Sequence, residues 1–318
     1  CDQITAPGLP LLNSKQIQPE KMSAILLVSG FAILGITDNL ILLIEKEAGL
    51  WQFHFFRSLF AIPFLLILSK LLGLSIKPLR LKFVFLRTFL VTVALLLYFG
   101  SLPIMPLAIA ASGLFTSPIF VLFFSSLLFG QKIKFRQFII VSLGAAGVWF
   151  ILQPDTPGFS ILWLVPVLAG AIYALNNIST RQFCSEEPPL CLVIFFYISL
   201  GFCGLIGATF FSYTAISPEL RSISPFVFSG WKTASIYFFI YAFIYAIASV
   251  IAVAMVTRAY QISQTSNITI FDYSFVIFLS LGGWIFWNQE LSNFHLLGIL
   301  IIILAGSLAS KQKQFSNQ

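Results

Sequence analysis

Charge is what this sequence has least of. Asp, Glu, Lys and Arg make up 9% of the 318 residues, where a soluble domain carries roughly 25%, so a water-soluble globular fold is excluded. Histidine occurs twice and cysteine four times, at Cys1, Cys184, Cys191 and Cys203. Neither type clusters at metal-ligand spacing, and the cysteines read as small apolar residues, so no metal site is expected. P-loop, HExxH and GxSxG patterns are missing. Their absence removes the common hydrolase signatures, leaves no cofactor to expect and rules out nucleotide hydrolysis within this chain as a driving force. The apolar runs lack the alternation of barrel strands. No methionine precedes Met22, so the chain reads as a trimmed product or as an over-long start whose first true residue is Met22.

What is present is apolar sequence, 58% of the chain, with a mean hydropathy of +0.97. About 20 apolar residues cross the hydrocarbon core as a helix. Ten such runs follow one another: Met22 to Ile44, Trp51 to Leu72, Phe83 to Leu102, Pro106 to Phe129, Phe135 to Leu152, Ser160 to Thr180, Leu190 to Tyr213, Ala234 to Thr257, Ile262 to Trp287 and Phe294 to Ala309. Residues 1–21 are polar and aperiodic and are expected to form a disordered cytoplasmic tail, with a second tail at 311–318.

Lys and Arg sort by side. With the N-terminus in the cytoplasm, 14 of the 18 basic residues fall inside, 3 (Lys46, Arg221, Lys232) fall outside, and Arg57 lies within a span. The positive-inside rule then places both termini in the cytoplasm. The net charge of +7 is therefore a topology signal, and no nucleic-acid partner is expected. Five crossings per half make the halves inverted copies, residues 22–152 and 160–310. SAILLV at Ser23 and SILWLV at Ser160 open the two copies, and Asp38-Asn39 and Asn176-Asn177 sit at matching depth. The fold class expected is an all-α membrane protein of ten transmembrane helices in two inverted five-helix repeats.

The order of short patterns resembles the drug/metabolite transporter superfamily of EamA type, from about Met22 to Ser310. Asp38 and Arg57 stand where the family has a polar position late in the first span and an arginine early in the second. Pro106 to Ala110, Pro118 to Val121, Phe129-Gly130 and Gly144 to Gly147 follow its fourth and fifth spans. Phe271 to Tyr273, Gly282-Gly283, Glu290 and Gly298 look like the second copy. Gln131 replaces the usual acidic residue, and the lysine some relatives carry after the first-span aspartate is absent, with Leu42 near its place. The resemblance implies a secondary transporter of small metabolites such as amino acids, nucleosides, S-adenosylmethionine or drugs. It also implies a central cavity lined by the first, third, fourth, sixth, eighth and ninth spans.

Polar residues inside apolar runs are the candidate substrate contacts, because burying them in lipid is costly. Asp38, beside Asn39, and Arg57 lie at one depth on consecutive helices, about 9 to 10 Å below the surface; a structural ion pair and a substrate contact both fit. His54 is one turn from Arg57. Asn176 and Asn177 suit helix glue or a zwitterionic ligand equally. Ser112, Thr116 and Ser117 form a hydroxyl face before Pro118, whose ring bends or breaks the helix. Tyr245 and Tyr273 are candidate cavity walls. Asp272, near the middle of the ninth span, is the foremost candidate, and Asp272 and His54 are the candidate groups for proton coupling.

The expected function is alternating-access transport of a small polar or zwitterionic metabolite, such as an amino acid, a nucleoside-type compound or a drug, across a bacterial inner membrane, with membrane lipids as surroundings. The alternative is a membrane-embedded enzyme or scaffold acting on a lipid headgroup.

Overall fold

The computed structural model describes residues 19–101, 107–152, 162, 164–288 and 292–311. Among these there is no strand. The helices are α1 (Pro19–Asp38), α2 (Ile41–Glu47), α3 (Leu50–Leu72), α4 (Leu81–Ser101), α5 (Leu107–Leu114), α6 (Ser117–Phe129), α7 (Phe135–Leu152), α8 (Leu164–Phe183), α9 (Pro189–Tyr213), α10 (Pro218–Ile223), α11 (Ile236–Ile262), α12 (Thr265–Ile268), α13 (Ser274–Trp287) and α14 (Asn293–Lys311), with a 3-10 turn at Thr269–Tyr273 between α12 and α13.

Six segments are long and apolar enough to cross a membrane: Pro19–Glu47, Leu50–Leu72, Leu81–Ser101, Pro189–Tyr213, Ile236–Ile262 and Thr265–Trp287. α6, α7 and α14 are shorter apolar helices. Large apolar side chains such as Phe89, Phe202, Ile251 and Leu300 stay exposed on the outer surface, as helices facing hydrocarbon require. α1 begins at Pro19, three residues before the expected boundary at Met22. Proline in the first turn has no N–H to leave unpaired, and Glu20 there complements the helix dipole.

The bundle has two ends. One carries the basic residues Lys77, Arg80 and Arg181 and is tied by Arg80 Nη2 to Glu186 (2.7 Å) and by the Arg181 guanidinium to the Gln261 carbonyl. At the opposite end, Trp51 Nε1 donates to the Val227 carbonyl at 2.8 Å, and the Gln52 side chain makes two bonds to the Lys232 backbone.

Small residues set the closest helix approaches. Gly147 on α7 faces Gly298 on α14, where an added Cβ would lie 2.9 Å from the Gly298 carbonyl. Gly204 on α9 rests on the backbone of α3 at Trp51 and Phe55.

Three of the apolar runs are interrupted, the first of them at Asn39-Leu40 between α1 and α2. Pro118 has no N–H for the Leu114 carbonyl, and its ring would collide there in a continuous helix, so α5 stops at Leu114 and α6 restarts at Ser117. The Thr116 hydroxyl caps this break by donating to the Gly113 carbonyl at 2.5 Å. α12 and α13 are separated by the 3-10 turn that holds Asp272. No proline or glycine lies in that turn.

Candidate functional site

A cavity of about 120 Å³, counted as space open to the centre of a water molecule, lies at the middle of the bundle. Phe31, Leu34 and Asp38 reach it from α1, Leu114, Phe115 and Ser117 from the α5–α6 break, and Asp272 and Phe275 from the α12–α13 break. α4, α8 and α11 supply the rest of the wall, and α3 and α9 add one residue each, Arg57 and Phe196. The six implied spans are therefore joined by the second and seventh. The wall mixes aromatic and aliphatic residues with charged, amide and hydroxyl groups.

On the side of the opposite end, the Tyr245 hydroxyl donates to Asp38 Oδ1 at 2.5 Å. Arg57 donates from Nε to Ser249 Oγ at 3.3 Å, and its guanidinium carbon lies 4.6 Å from the Tyr245 ring and 5.5 Å from that of Tyr197. Such stacking on two aromatic faces favours a desolvated cation. Asp38 and Arg57 form no salt bridge; among the described residues the one such pair is Arg80 with Glu186. Arg57 Nη1 is buried without a partner.

On the side of the basic end, the Tyr260 hydroxyl lies 2.7 and 2.6 Å from the two oxygens of Asp272, which is 1% exposed. Asn176 Nδ2 donates to Asn177 Oδ1 at 2.9 Å, leaving Asn176 Oδ1 and Asn177 Nδ2 buried and unbonded on the cavity wall. Arg87, reckoned from sequence among the cytoplasmic residues, instead lies inside α4, 3% exposed and on the cavity wall. Only its place one turn into an apolar run could have signalled this.

The structure thus brings Asp38, Arg57, Asn176, Asn177, Tyr245 and Asp272 to one cavity. It leaves other candidates outside. Asn39 donates to the carbonyls of Gly35 and Leu279, fixing the α1–α2 turn against α13. Thr116 bonds its own turn and packs beside Gly170. Tyr273 points to α7, its hydroxyl 3.4 Å from the Val141 carbonyl and its ring over Gly144. His54 is fully buried between Phe53 and Phe99, with both ring nitrogens unpaired and no place on the cavity wall. A proton relay through His54 has no neighbour to pass to in this conformation. The Ser112 side chain and Glu290 lie outside what is described. Sequence reasoning missed Arg87, Tyr98, Tyr173, Thr257 and Tyr260.

A second cavity, about 490 Å³ by the same measure, opens toward the opposite end between Asn39, Glu45, Lys46, Pro225 and Phe226. Asp38, Tyr98 and Phe99 border both spaces, so these three side chains form the partition. At the basic end a hydrogen-bonded layer covers the central cavity. Gln261 Nε2 donates to the carbonyls of Cys184 and Glu187, both at 2.7 Å, and the Glu187 carboxylate accepts from the amides of Leu79 and Arg80 at 2.8 and 2.6 Å. Gln131 Oε1, standing where relatives have an acid, accepts from Gln264 Nε2 at 3.1 Å.

Residues 21–153 match the EamA-like transporter family. A riboflavin transporter of Rhizobium johnstonii is 23% identical over 262 residues, covering 82% of this chain and 79% of its own. A pseudopaline exporter of Pseudomonas aeruginosa is 21% identical over 266 residues, covering 82% and 86%. An S-adenosylmethionine uptake transporter of Rickettsia prowazekii is 26% identical over 132 residues, 40% of this chain and 45% of its own. One solved crystal structure, 12% identical, superposes with a TM-score of 0.73 over 94% of this chain and 99% of that one, a likeness of fold. With its membrane-length helices and central cavity, the chain is an integral membrane protein and a transporter of small molecules, not an enzyme, and over residues 21–153 it is similar to the EamA-like transporters.

Proposed function

We propose that this protein is a ten-span secondary carrier of two inverted five-helix repeats, residues 22–152 and 160–310, which moves a small polar or zwitterionic solute by alternating access across a bacterial inner membrane. The observation that carries the reading is the central cavity, walled by both halves of the chain and lined by a carboxyl group from each, Asp38 and Asp272. Helix neighbours support the repeat. α1–α2 packs on α11 and on α13, and α8 packs on α4 and on the α5–α6 pair; α3 packs on α9, and α7 on α14. Exchanging each span with the one five later leaves this set of neighbours unchanged, as a twofold relation between halves requires. Of the three interrupted spans, α5–α6 and α12–α13 exchange as well, and broken helices are where carriers of this architecture place their binding sites.

The basic end is the cytoplasmic one by the positive-inside rule, with both termini there. Moving Arg87 into the bundle removes one residue from the inside tally and leaves its sign unchanged. Relatives named for riboflavin, pseudopaline and S-adenosylmethionine are consistent with an organic solute bearing both flat and polar parts.

The experiment is solute counterflow in proteoliposomes with amino acids, nucleosides and flavin-like compounds. Flux that saturates, and that falls at least tenfold with Asp272→Asn while the protein remains folded, supports the reading. An Asp272→Asn carrier with unchanged flux would remove Asp272 from the site, and flux indifferent to an imposed pH gradient would remove proton coupling.

A further inference from the structure

Arg87 is a permanently charged group inside the bundle. Nε donates to Thr180 Oγ1 at 3.4 Å, Nη1 to the Leu192 carbonyl at 3.1 Å and Nη2 to Thr257 Oγ1 at 3.0 Å. α8, α9 and α11 therefore fix the guanidinium, and every acceptor they offer is neutral. A guanidinium has five N–H groups, so one remains on each terminal nitrogen, the pair that grips a carboxylate or phosphate in a fork.

Among the described residues no anion pairs with this charge. Among the described residues the only salt bridge is Arg80 with Glu186. The nearby buried acids are otherwise engaged, Asp272 with Tyr260 and Glu187 with the Leu79 and Arg80 amides. A desolvated cation without a counter-charge is costly, yet Arg87 lines the central cavity. Asn177 Nδ2, on the same wall beside the Tyr173 hydroxyl, offers another donor. The remaining wall, with Phe31, Phe115, Phe196 and Phe275, suits a flat or apolar body.

We propose that Arg87 is the anchor for an anionic oxygen pair on the transported solute, so that the preferred substrates are organic acids with an aromatic or apolar body, the carboxylate on Arg87 and Asn177. This rests on the carrier reading and narrows its substrate class. Thr180 and Thr257 are positioning residues: they touch Arg87 and hold its fork toward the cavity.

The test uses the full chain in phosphatidylcholine nanodiscs, which supply no anionic headgroup, with two probes of equal shape, 3-phenylpropanoate and 3-phenylpropanamide. Ligand-induced thermal shifts give apparent affinities. The expected result is at least a tenfold preference for the acid, abolished in Arg87→Gln through loss of acid binding alone and partly retained in Arg87→Lys. Phenyl phosphate should bind the wild type and share the dependence on Arg87. Should Arg87→Gln fail to fold, Thr257→Val keeps the charge while removing one positioning bond, and should weaken acid binding several-fold with the amide unchanged. Equal binding of acid and amide, no binding of either, or an acid preference that survives Arg87→Gln overturns the proposal. An acid preference without flux in proteoliposomes would instead sink the carrier reading and leave the Arg87 assignment standing.

Discussion

Single hydroxyl groups decide how this protein tolerates charge in its interior. Asp272 takes both of its hydrogen bonds from one donor, Tyr260 Oη. Removing that donor leaves a buried carboxyl group unpaired, a cost of about 1–3 kcal/mol. Tyr260→Phe should therefore lower the unfolding temperature in detergent. Adding Asp272→Asn should cost less than the sum of the single changes, because both substitutions remove the same contact; strictly additive losses would show that the pair is not coupled. Two tyrosines proposed from the sequence should behave differently. Tyr245 holds Asp38 at the cavity, whereas Tyr273 faces α7. Tyr245→Phe should change the KM for solute several-fold and Tyr273→Phe by less than twofold, as initial rates of uptake would read. The sequence showed that Asp272 and Asp38 were costly, and so functional candidates. It could not show which tyrosine served them, since Tyr260 and Asp272 meet across a turn that no hydropathy pattern records.

At the scale of elements, glycine fixes the helix pairs and helix breaks shape the site. A methyl group on Gly298 would lie 2.5 Å from the Gly147 carbonyl, and backbone cannot yield as a side chain can. On Gly306 the nearest neighbour would be Phe271 at 3.6 Å, ordinary contact. Gly298→Ala should thus cost about 1–3 kcal/mol, and Gly306→Ala should be close to neutral, by thermal unfolding of the two variants side by side. If both are neutral, the α7–α14 interface is looser than the structure has it. Runs of apolar residues made the helices legible, and Pro118 announced one interruption. The interruption at Thr269–Tyr273 has no proline or glycine to announce it, nor has the one at Asn39-Leu40. The sequence also placed Arg87 wrongly, because charge near the end of a run looks the same whether it faces water or a cavity.

For the whole molecule, the two ends are closed by matching devices. Glu47 accepts from the backbone N–H and the hydroxyl of Ser235, both at 2.9 Å, just ahead of α11. Glu187 accepts from the amides of Leu79 and Arg80, just ahead of α4. Each carboxylate thus ties one half to the start of a helix in the other, Glu47 from the end of α2 and Glu187 from the loop after α8, and a negative group at a helix start is stabilised by the dipole. Glu187 is 2% exposed and belongs to the layer that includes Gln261 and the Cys184 carbonyl. On the proposed carrier reading this layer parts when the basic end opens, and the Cys184 thiol, fully buried in the present conformation, would then meet solvent. Glu187→Gln weakens the tie by replacing a charged acceptor with a neutral amide, so the open population should grow. In nanodiscs, a membrane-impermeant maleimide followed by peptide mass spectrometry should label Cys184 several-fold faster in Glu187→Gln than in wild type. Cys203, half-exposed on α9 away from this layer, should not change. Glu47→Gln acts at the far end and should leave Cys184 as slow or slower, since loosening that end competes with opening this one. An unchanged Cys184 rate in Glu187→Gln, in protein that still transports, would mean that the basic end opens elsewhere or that this carboxylate does not hold it.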